Sequence, residues 1–446
     1  MSTYKYTLYD YHAIKQAEIT IDGITVLAGD NGCGKSTLTR WLYYLVNTSS
    51  DLDILLFEEL KEQLDSLLRQ GRNINRELSR YARDFRSNDF LELSGNIQKV
   101  SLHQENAVQV VMQMFDDAIQ LLGAGLMDYF SGTESVFRVQ RMNRLLQLDE
   151  NTANIEESVT RYVDGKLQEA ESCLADYNRH SEERSVEHFY DLLHSHYQVE
   201  DKEPERIQLS EDGVKLLRKN GINALLALDR AIYVDTPMSL SFGSVRSDNV
   251  FWGDLRRLVK ASPVHQPSEA ALKLLLRIKN LLGGEIRLQE SLYQGRELHY
   301  VRKGDNLNIP LEDTATGMKT FAYIQRLIDN GYLNERTILL IDEPEAHLHP
   351  KWIFEFAHLL VLLNKELGVK VMVASHNPDM VAALQKVAET EGLIDKTHFY
   401  QAYPHEGSYQ FEYRDLGGSI SEIFRSFNIA TSRIQDYGEP SNESGM

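Results

Sequence analysis

The 446-residue sequence is short of cysteine, short of positive charge and without a long apolar run. Its two cysteines, Cys33 and Cys173, lie far apart in the chain. That excludes a disulfide framework and suits a reducing compartment. Forty-seven Lys and Arg stand against 66 Asp and Glu, a formal net charge of −19. This sign excludes a surface that coats nucleic acid throughout, but leaves room for a local basic groove. Met1-Ser2-Thr3-Tyr4-Lys5-Tyr6 does not open an apolar signal-peptide core. The most apolar helix candidate, Trp352 to Leu363, contains Glu355 and His358 and is too short to span a bilayer. Neither an internal repeat nor a low-complexity tract is found. These absences predict a soluble cytoplasmic protein with no membrane partner. What is there, 42% hydrophobic residues, allows a large core. The length allows two or three domains at about 150 residues each.

The strongest local signal is Gly29-Asp30-Asn31-Gly32-Cys33-Gly34-Lys35-Ser36-Thr37, which fits G-x-x-x-x-G-K-[ST]. The glycines let successive backbone N–H groups turn inward around a polyphosphate. Asp30, Asn31, Gly32, Cys33, Gly34, Lys35, Ser36 and Thr37 are the expected nucleotide-binding residues. Lys35 would reach the β- and γ-phosphates, and the Ser36 hydroxyl would ligate Mg²⁺. The helix starting there points its positive end at the anion. Ile24–Ala28 reads as a buried strand before the loop. Leu38, Trp41, Leu42 and Leu45 repeat at helical spacing after it. Tyr4–Tyr9 and Ala17–Ile21 read as two further strands.

From about Thr48 to Leu228 the chain turns polar and acidic with helical apolar spacing. Leu55, Leu56, Leu60, Leu64, Leu67 and Leu68 form one stripe. Val108, Val111, Met112, Phe115, Ile119 and Leu122 form a second, and Val159, Tyr162, Val163, Leu167 and Leu174 a third. This predicts a helical insertion over 48–230 between ATPase lobes at 1–47 and 231–446. Arg138, Arg141 and Arg144 could share one helix face and contact a phosphate backbone, but a solvated face beside acidic neighbours is favoured.

After Ala231–Asp235, a short strand, helices and strands alternate, which argues for a mostly parallel α/β sheet. Helices are expected over Glu269–Leu282 (capped by Ser268), Gly317–Asp329, Lys351–Leu367, Pro378–Ala388 and Ser419–Phe427. Strands are expected over Glu285–Gln289, Leu298–Val301, Leu307–Ile309, Thr337–Ile341, Val369–Ala374, Thr397–Gln401 and Tyr409–Tyr413.

Three stretches carry chemistry here. Thr337–Ile341 delivers Asp342 and Glu343 at its C-terminal end, where ligands of parallel sheets sit. Asp342 would hold Mg²⁺, and Glu343 would polarise the attacking water. Val371–Ala374 likewise delivers Ser375-His376, and His376 could sense the γ-phosphate. Thr316 and Gly317 open a helix and would offer a hydroxyl and N–H groups to a second anion. One chain cannot easily bind both ends of a nucleotide, so this loop is read as facing the ATP of a second subunit. The plainer alternative is a helix cap by Thr316.

Phosphate loop, Thr-Gly-Met-Lys loop, Ile-Asp-Glu-Pro-Glu-Ala-His-Leu-His-Pro and Ala-Ser-His-Asn-Pro occur in the order of the ABC-type ATPases. The run Glu343–Pro350 resembles their non-transporter branch, with the SMC-like, OLD-like and anti-phage AAA-family members. The resemblance covers 1–47 and about 231–430. It implies an ABC-type head with a mostly parallel core sheet, a small antiparallel β layer and a large helical insertion. It makes Lys35 and Ser36 the Walker A pair, Asp342 and Glu343 Walker B, and His376 the switch histidine. Thr316-Gly317 replaces the Ser-Gly of the signature, and Glu345 to His349 fall in the D-loop region. The full signature is reduced here, and the Q-loop glutamine is open among Gln98, Gln104 and Gln140. His347 and His349, two apart with no cysteine near, are not read as a metal site.

The implied function is ATP hydrolysis with Mg²⁺, driving association of two heads as a homodimer or larger homo-oligomer. Head association would control DNA or a separate effector chain, a nuclease or toxin, in phage defence or DNA repair. The roughly 65 residues after position 380 are too few for a nuclease domain. The alternatives are the nucleotide-binding subunit of a transporter and a nucleotide-gated scaffold with little turnover.

Overall fold

In the computed structural model, residues 2–81, 85–131, 135–146, 155–235, 250–263, 266–291 and 295–424 are described. The chain opens with β1 (Tyr4–Tyr11), β2 (Ile14–Ile21) and β3 (Ile24–Ala28). Tyr4, Tyr6 and Leu8 are buried on alternate positions of β1, the period-2 pattern of a half-buried strand. β3 is buried at every position, as befits a central strand. Next comes α1 (Lys35–Ser50), which buries Leu38, Trp41, Leu42 and Leu45.

Two compact units follow from the packing: Met1–Ser50 with Leu193–Met446, and Asp51–Leu192. The second contains α2 (Leu52–Tyr81), α3 (Ser87–Ile97), α4 (Ala107–Ser131), α5 (Val136–Leu145) and α6 (Ile155–Glu183). Its core joins Leu60, Leu64, Leu68, Val111, Phe115, Ile119, Leu122, Val159 and Val163, the inner residues of the three expected stripes. Each such side chain stabilises the unit by about 1.5–3 kcal/mol through burial. Among the described residues α4, rather than Trp352–Leu363, is the helix long and apolar enough to cross a membrane by composition. Its Val111, Phe115, Ile119 and Leu122 instead face the core of this unit.

α7 (Val186–Tyr197) leads to β4 (Arg206–Glu211), β5 (Val214–Lys215), β6 (Leu217–Arg218), β7 (Gly221–Ile222) and β8 (Arg230–Val234). The expected insertion limits of 48 and 230 therefore differ from the compact unit. β4 pairs antiparallel with β1, Leu209 opposite Tyr6, so residues 206–211 belong to the head's sheet. The strand is short, with charge at both ends, and its partner lies some 200 residues away in the sequence.

The rest of the head is α8 (Val250–Lys260), α9 (Glu269–Leu282), β9 (Glu285–Ser291), β10 (Gly295–Arg302), β11 (Leu307–Pro310), α10 (Thr316–Asp329), β12 (Thr337–Asp342), α11 (Pro350–Leu367), β13 (Lys370–Ser375), α12 (Pro378–Thr390), β14 (Thr397–Pro404) and β15 (Phe411–Asp415). Ser268 caps α9 by accepting from Ala271 N–H at 3.2 Å. Of the expected helix Ser419–Phe427, residues 421–424 are helical and 425–427 lie outside the described residues.

The described strands of the main sheet run in the order β5-β4-β1-β2-β15-β14-β3-β13-β12-β8. β14, β3, β13, β12 and β8 are mutually parallel. The antiparallel strands at the other end continue this same sheet, and a separate antiparallel sheet is formed by β11-β10-β9. Because the central strands are parallel, the ends of β3, β12 and β13 all open at one edge. The register aligns Ala28 with Ser375 and Asp342 with Ala374.

Candidate functional site

β3 ends at Ala28, and the loop that follows turns through Gly32 (φ 82°) and Gly34 (φ 95°). Both values lie in the left-handed region that glycine adopts without strain. At Gly34 a side chain would also come within 2.7 Å of Ile14 Cγ1. α1 starts directly after, with Leu38 N–H donating to Gly34 O at 3.1 Å. The Lys35 ammonium is folded onto the loop, donating to Gly29 O at 2.8 Å and Asp30 O at 2.9 Å. The Cys33 side chain is buried: its Sγ accepts from Lys35 Nζ at 3.8 Å and lies 3.6 Å from Tyr413 OH, which donates to Cys33 O at 3.1 Å.

Asp342, at the end of β12, is 3% exposed. Its Oδ1 accepts from Thr39 Oγ1 at 3.1 Å and its Oδ2 from Tyr233 OH at 2.7 Å. Ser36 also bonds this carboxylate. Burial pushes the Asp342 carboxyl above its ordinary range, and the Tyr233, Ser36 and Thr39 hydroxyls pull it back. A cavity of about 370 Å³ opens here, lined by His12, Ala13, Asn31, Gly32, Gly34, Lys35, Ser36, Thr37, Asp342, Glu343 and Ala374. Its donors fit Mg²⁺. One carboxylate and one hydroxyl are hard oxygen ligands, and Mg²⁺ is usually held by one or two protein groups plus substrate phosphates. Among the described residues no cluster of three or more His, Cys, Asp or Glu forms an all-protein metal cage.

Glu343 turns the chain with φ 46°, and its N–H donates to Ala374 O at 2.8 Å. A left-handed glutamate is costly unless its surroundings hold it, and it aims the carboxylate into the cavity. His376 Nδ1 lies 3.2 Å from Glu343 Oε1 and 3.7 Å from Glu345 Oε1. His376 therefore reaches the cavity through Glu343 and does not itself line it.

Thr316 and Gly317 begin α10 and do not line the cavity. Ala315 is the N-cap and no side chain caps this end, so Thr316 is not the helix cap of the plainer alternative. A side chain on Gly317 would meet His347 O at 3.1 Å, which ties the start of α10 to the Glu345–His349 loop. His349 caps α11, its ring accepting from Lys351 N–H at 3.3 Å. Gln98, Gln104 and Gln140 all lie in the helical unit, and none lines the cavity. Arg141 pairs with the buried Glu77 (3.1 Å), an acidic neighbour as expected, and Arg138 stacks on Tyr81 (4.2 Å), which was not expected.

His12 and Ala13 are unforeseen residues of the cavity, and Thr39 and Tyr233, which bond Asp342, are its unforeseen supports. Thr39 lies one helical turn past Lys35, a spacing that could have flagged it. Tyr233 reaches Asp342 only because β8 pairs with β12, Tyr233 opposite Leu340. His12 and Ala13 arrive from the β1–β2 turn, which no local motif marks.

A parallel-sheet head with a phosphate loop after β3 and paired carboxylates after β12 is that of an ABC/SMC-like P-loop ATPase. The chain belongs to the family described as "AAA domain, putative AbiEii toxin, Type IV TA system", whose model matches residues 156–382, just over half of the chain. Among curated proteins it is similar to the energy-coupling factor transporter ATP-binding protein EcfA3 of Clostridium perfringens, 38% identical over 72 residues. That match is 16% of this chain and 25% of the relative, so the chain spans about a quarter of the length of the curated relatives it matches. Among solved structures it is similar to the SMC head domain from Thermotoga maritima, with 10% identity, a TM-score of 0.37, and coverage of 93% of this chain and 99% of that one. It is also similar to a Pyrococcus furiosus Smc head domain with an extended coiled coil, bound to the C-terminal domain of ScpA. There the identity is 10%, the TM-score 0.34, and the coverage 96% and 98%.

Proposed function

We propose that the chain binds ATP in the cavity at the end of β3 and hydrolyses it with Mg²⁺. The observation that carries this reading is a single cavity lined by Lys35, Ser36, Asp342 and Glu343. Lys35 exchanges the Gly29 and Asp30 carbonyls for the β- and γ-phosphate oxygens, while the loop N–H groups from Asn31 to Thr37 cradle the chain of phosphates. Ser36 and Asp342 hold Mg²⁺, which neutralises charge on the phosphate oxygens when bound. Glu343 accepts the proton of the attacking water, and His376, whose Nδ1 lies 3.2 Å from Glu343 Oε1, orients it. Thr39 and Tyr233 keep Asp342 in place.

Head association follows from the same chemistry. The uncapped first turn of α10 supports Thr316 and Gly317 as donors to the γ-phosphate held by a second copy. ATP would then join two heads and hydrolysis would release them, with the helical unit passing the state to a partner. The family description supports a separate effector or antidote chain as that partner, in a defence role; DNA is the other candidate. The acidic, cysteine-poor sequence supports action in the cytoplasm.

The test of the binding step is Lys35→Ala. ATP affinity, measured by calorimetry, should fall at least 10-fold, since a main countercharge of the phosphates is gone. A variant within about twofold of the parent, ~0.4 kcal/mol, would contradict the assignment.

A further inference from the structure

One buried carboxylate has no task in the reading above. Glu345 lies in the loop between β12 and α11, and its side chain is 4% exposed. Its Oε1 accepts from Ser375 Oγ at 2.8 Å and from His376 N–H at 3.3 Å, and sits 3.7 Å from His376 Nδ1. Its Oε2 is buried with no hydrogen-bond partner among the described residues. Packing does not account for an acid here, because an apolar side chain or an amide would fill the space at lower cost. Burial pushes the Glu345 carboxyl above its ordinary range, while Ser375 and His376 pull it back.

The contacts converge on one turn. Ser375 Oγ accepts from Asn377 N–H at 3.1 Å, and the Asn377 side chain caps α12 by accepting from Asp379 N–H at 2.8 Å. Glu345 thus grips the β13–α12 turn that carries His376. From the β12–α11 loop the imidazole is faced by two carboxylates, Glu343 and Glu345, both toward Nδ1. From its own turn it is flanked by the uncharged Ser375 and Asn377. Two acceptors near Nδ1 keep a proton on that nitrogen, as carboxylates do for histidines that must present the other nitrogen to a ligand.

We infer that Glu345 is a positioning residue acting through His376: it holds Nδ1 and the turn so that Nε2 donates to the terminal phosphate of the bound nucleotide. The inference rests on the nucleotide reading of the cavity. Glu345 acts on the ring through the backbone N–H of His376 and through Ser375, with the Nδ1 edge facing both carboxylates.

The test follows the His376 ring by NMR in the full chain with ¹⁵N-labelled histidine, without nucleotide, the signal being assigned by its loss in His376→Gln. In Glu345→Gln, nearly isosteric with the parent, the His376 ring signals should move, because the contacts that fix its turn are weakened. In Ser375→Ala they should move by less. Unchanged ring signals in both variants would overturn the inference. Hydrolysis is read separately: Glu345→Gln should lower kcat about 10-fold with the KM for ATP within about twofold. It should add nothing in a His376→Gln background. Equal losses in both backgrounds would overturn the inference, leaving Glu345 a fold residue. Glu345-dependent His376 ring signals in a parent chain that neither binds nor hydrolyses ATP would overturn the nucleotide reading and leave the coupling of Glu345 to His376 standing.

Discussion

Tyr233→Phe removes one oxygen from a sealed network and leaves the ring in place. The hydroxyl donates to Asp342 Oδ2 at 2.7 Å, and the two residues are 2% and 3% exposed. The phenyl ring keeps its neighbours, with centroids at 4.8 Å from Phe251 and 6.3 Å from Tyr43. A hydrogen bond to a charged acceptor contributes about 1.5–3 kcal/mol. Asp342 retains Thr39 at 3.1 Å and the contact with Ser36, so the loss falls at the lower end, about 1.5 kcal/mol. At roughly 1–2 °C per kcal/mol for a unit of about 300 residues this lowers Tm by about 1.5–3 °C. Urea unfolding of parent and variant at neutral pH, without nucleotide, measures the difference directly. The same substitution in an Asp342→Asn background loses only a neutral hydrogen bond, about 0.5–1.5 kcal/mol. Taking about 1 kcal/mol for that neutral bond, the cycle should show a coupling of about 0.5 kcal/mol. A variant within about 0.3 kcal/mol of the parent, or an equal loss in both backgrounds, would refute the view that the hydroxyl holds an ionised carboxylate.

Glu343→Gln should trap ATP and so gain ATP-dependent association in light scattering, and Thr316→Arg in the same background should abolish it; an assembly state indifferent to ATP and to Thr316 would remove the second-subunit role of that loop. His398 Nε2 lies 3.0 Å from Asp22 Oδ1, a bond that lifts the histidine above 6.5 and lowers the aspartate below 3.8. The histidine's stabilisation is complete below pH 6.5 and lost as pH rises through its folded value, while the aspartate's is complete above pH 3.8 and lost as pH falls through its own. Melting curves should therefore lose up to about 1 kcal/mol on the alkaline side, and Asp22→Asn should flatten that loss; an undiminished loss in Asp22→Asn would assign it elsewhere.

The parts of the site legible in the sequence are those where chemistry and local period coincide. Gly32, Gly34 and Lys35 are spaced for a phosphate loop, and the apolar runs before Asp342 and Ser375 announce buried parallel strands. The apolar period also marks α2, α4 and α6, whose stripes face the core of the helical unit. What stayed illegible depends on pairings between distant segments. β4 joins β1 across some 200 residues. Tyr233 meets Asp342 because β8 lies beside β12, and His12 enters the cavity because β2 turns back beside the phosphate loop. Glu345 reads in the sequence as one more loop acid. Only the fold turns it inward beneath His376.

The central claim is tested most directly by steady-state phosphate release from Mg·ATP by the parent and by Glu343→Gln, with ATP affinity measured on the same preparations. Phosphate release by the parent, with Glu343→Gln binding ATP within about twofold of it but turning over about 10²–10⁴-fold more slowly, is the predicted result, because an amide cannot take the water's proton. Undiminished turnover in Glu343→Gln with intact binding would contradict it and move the catalytic base away from the end of β12.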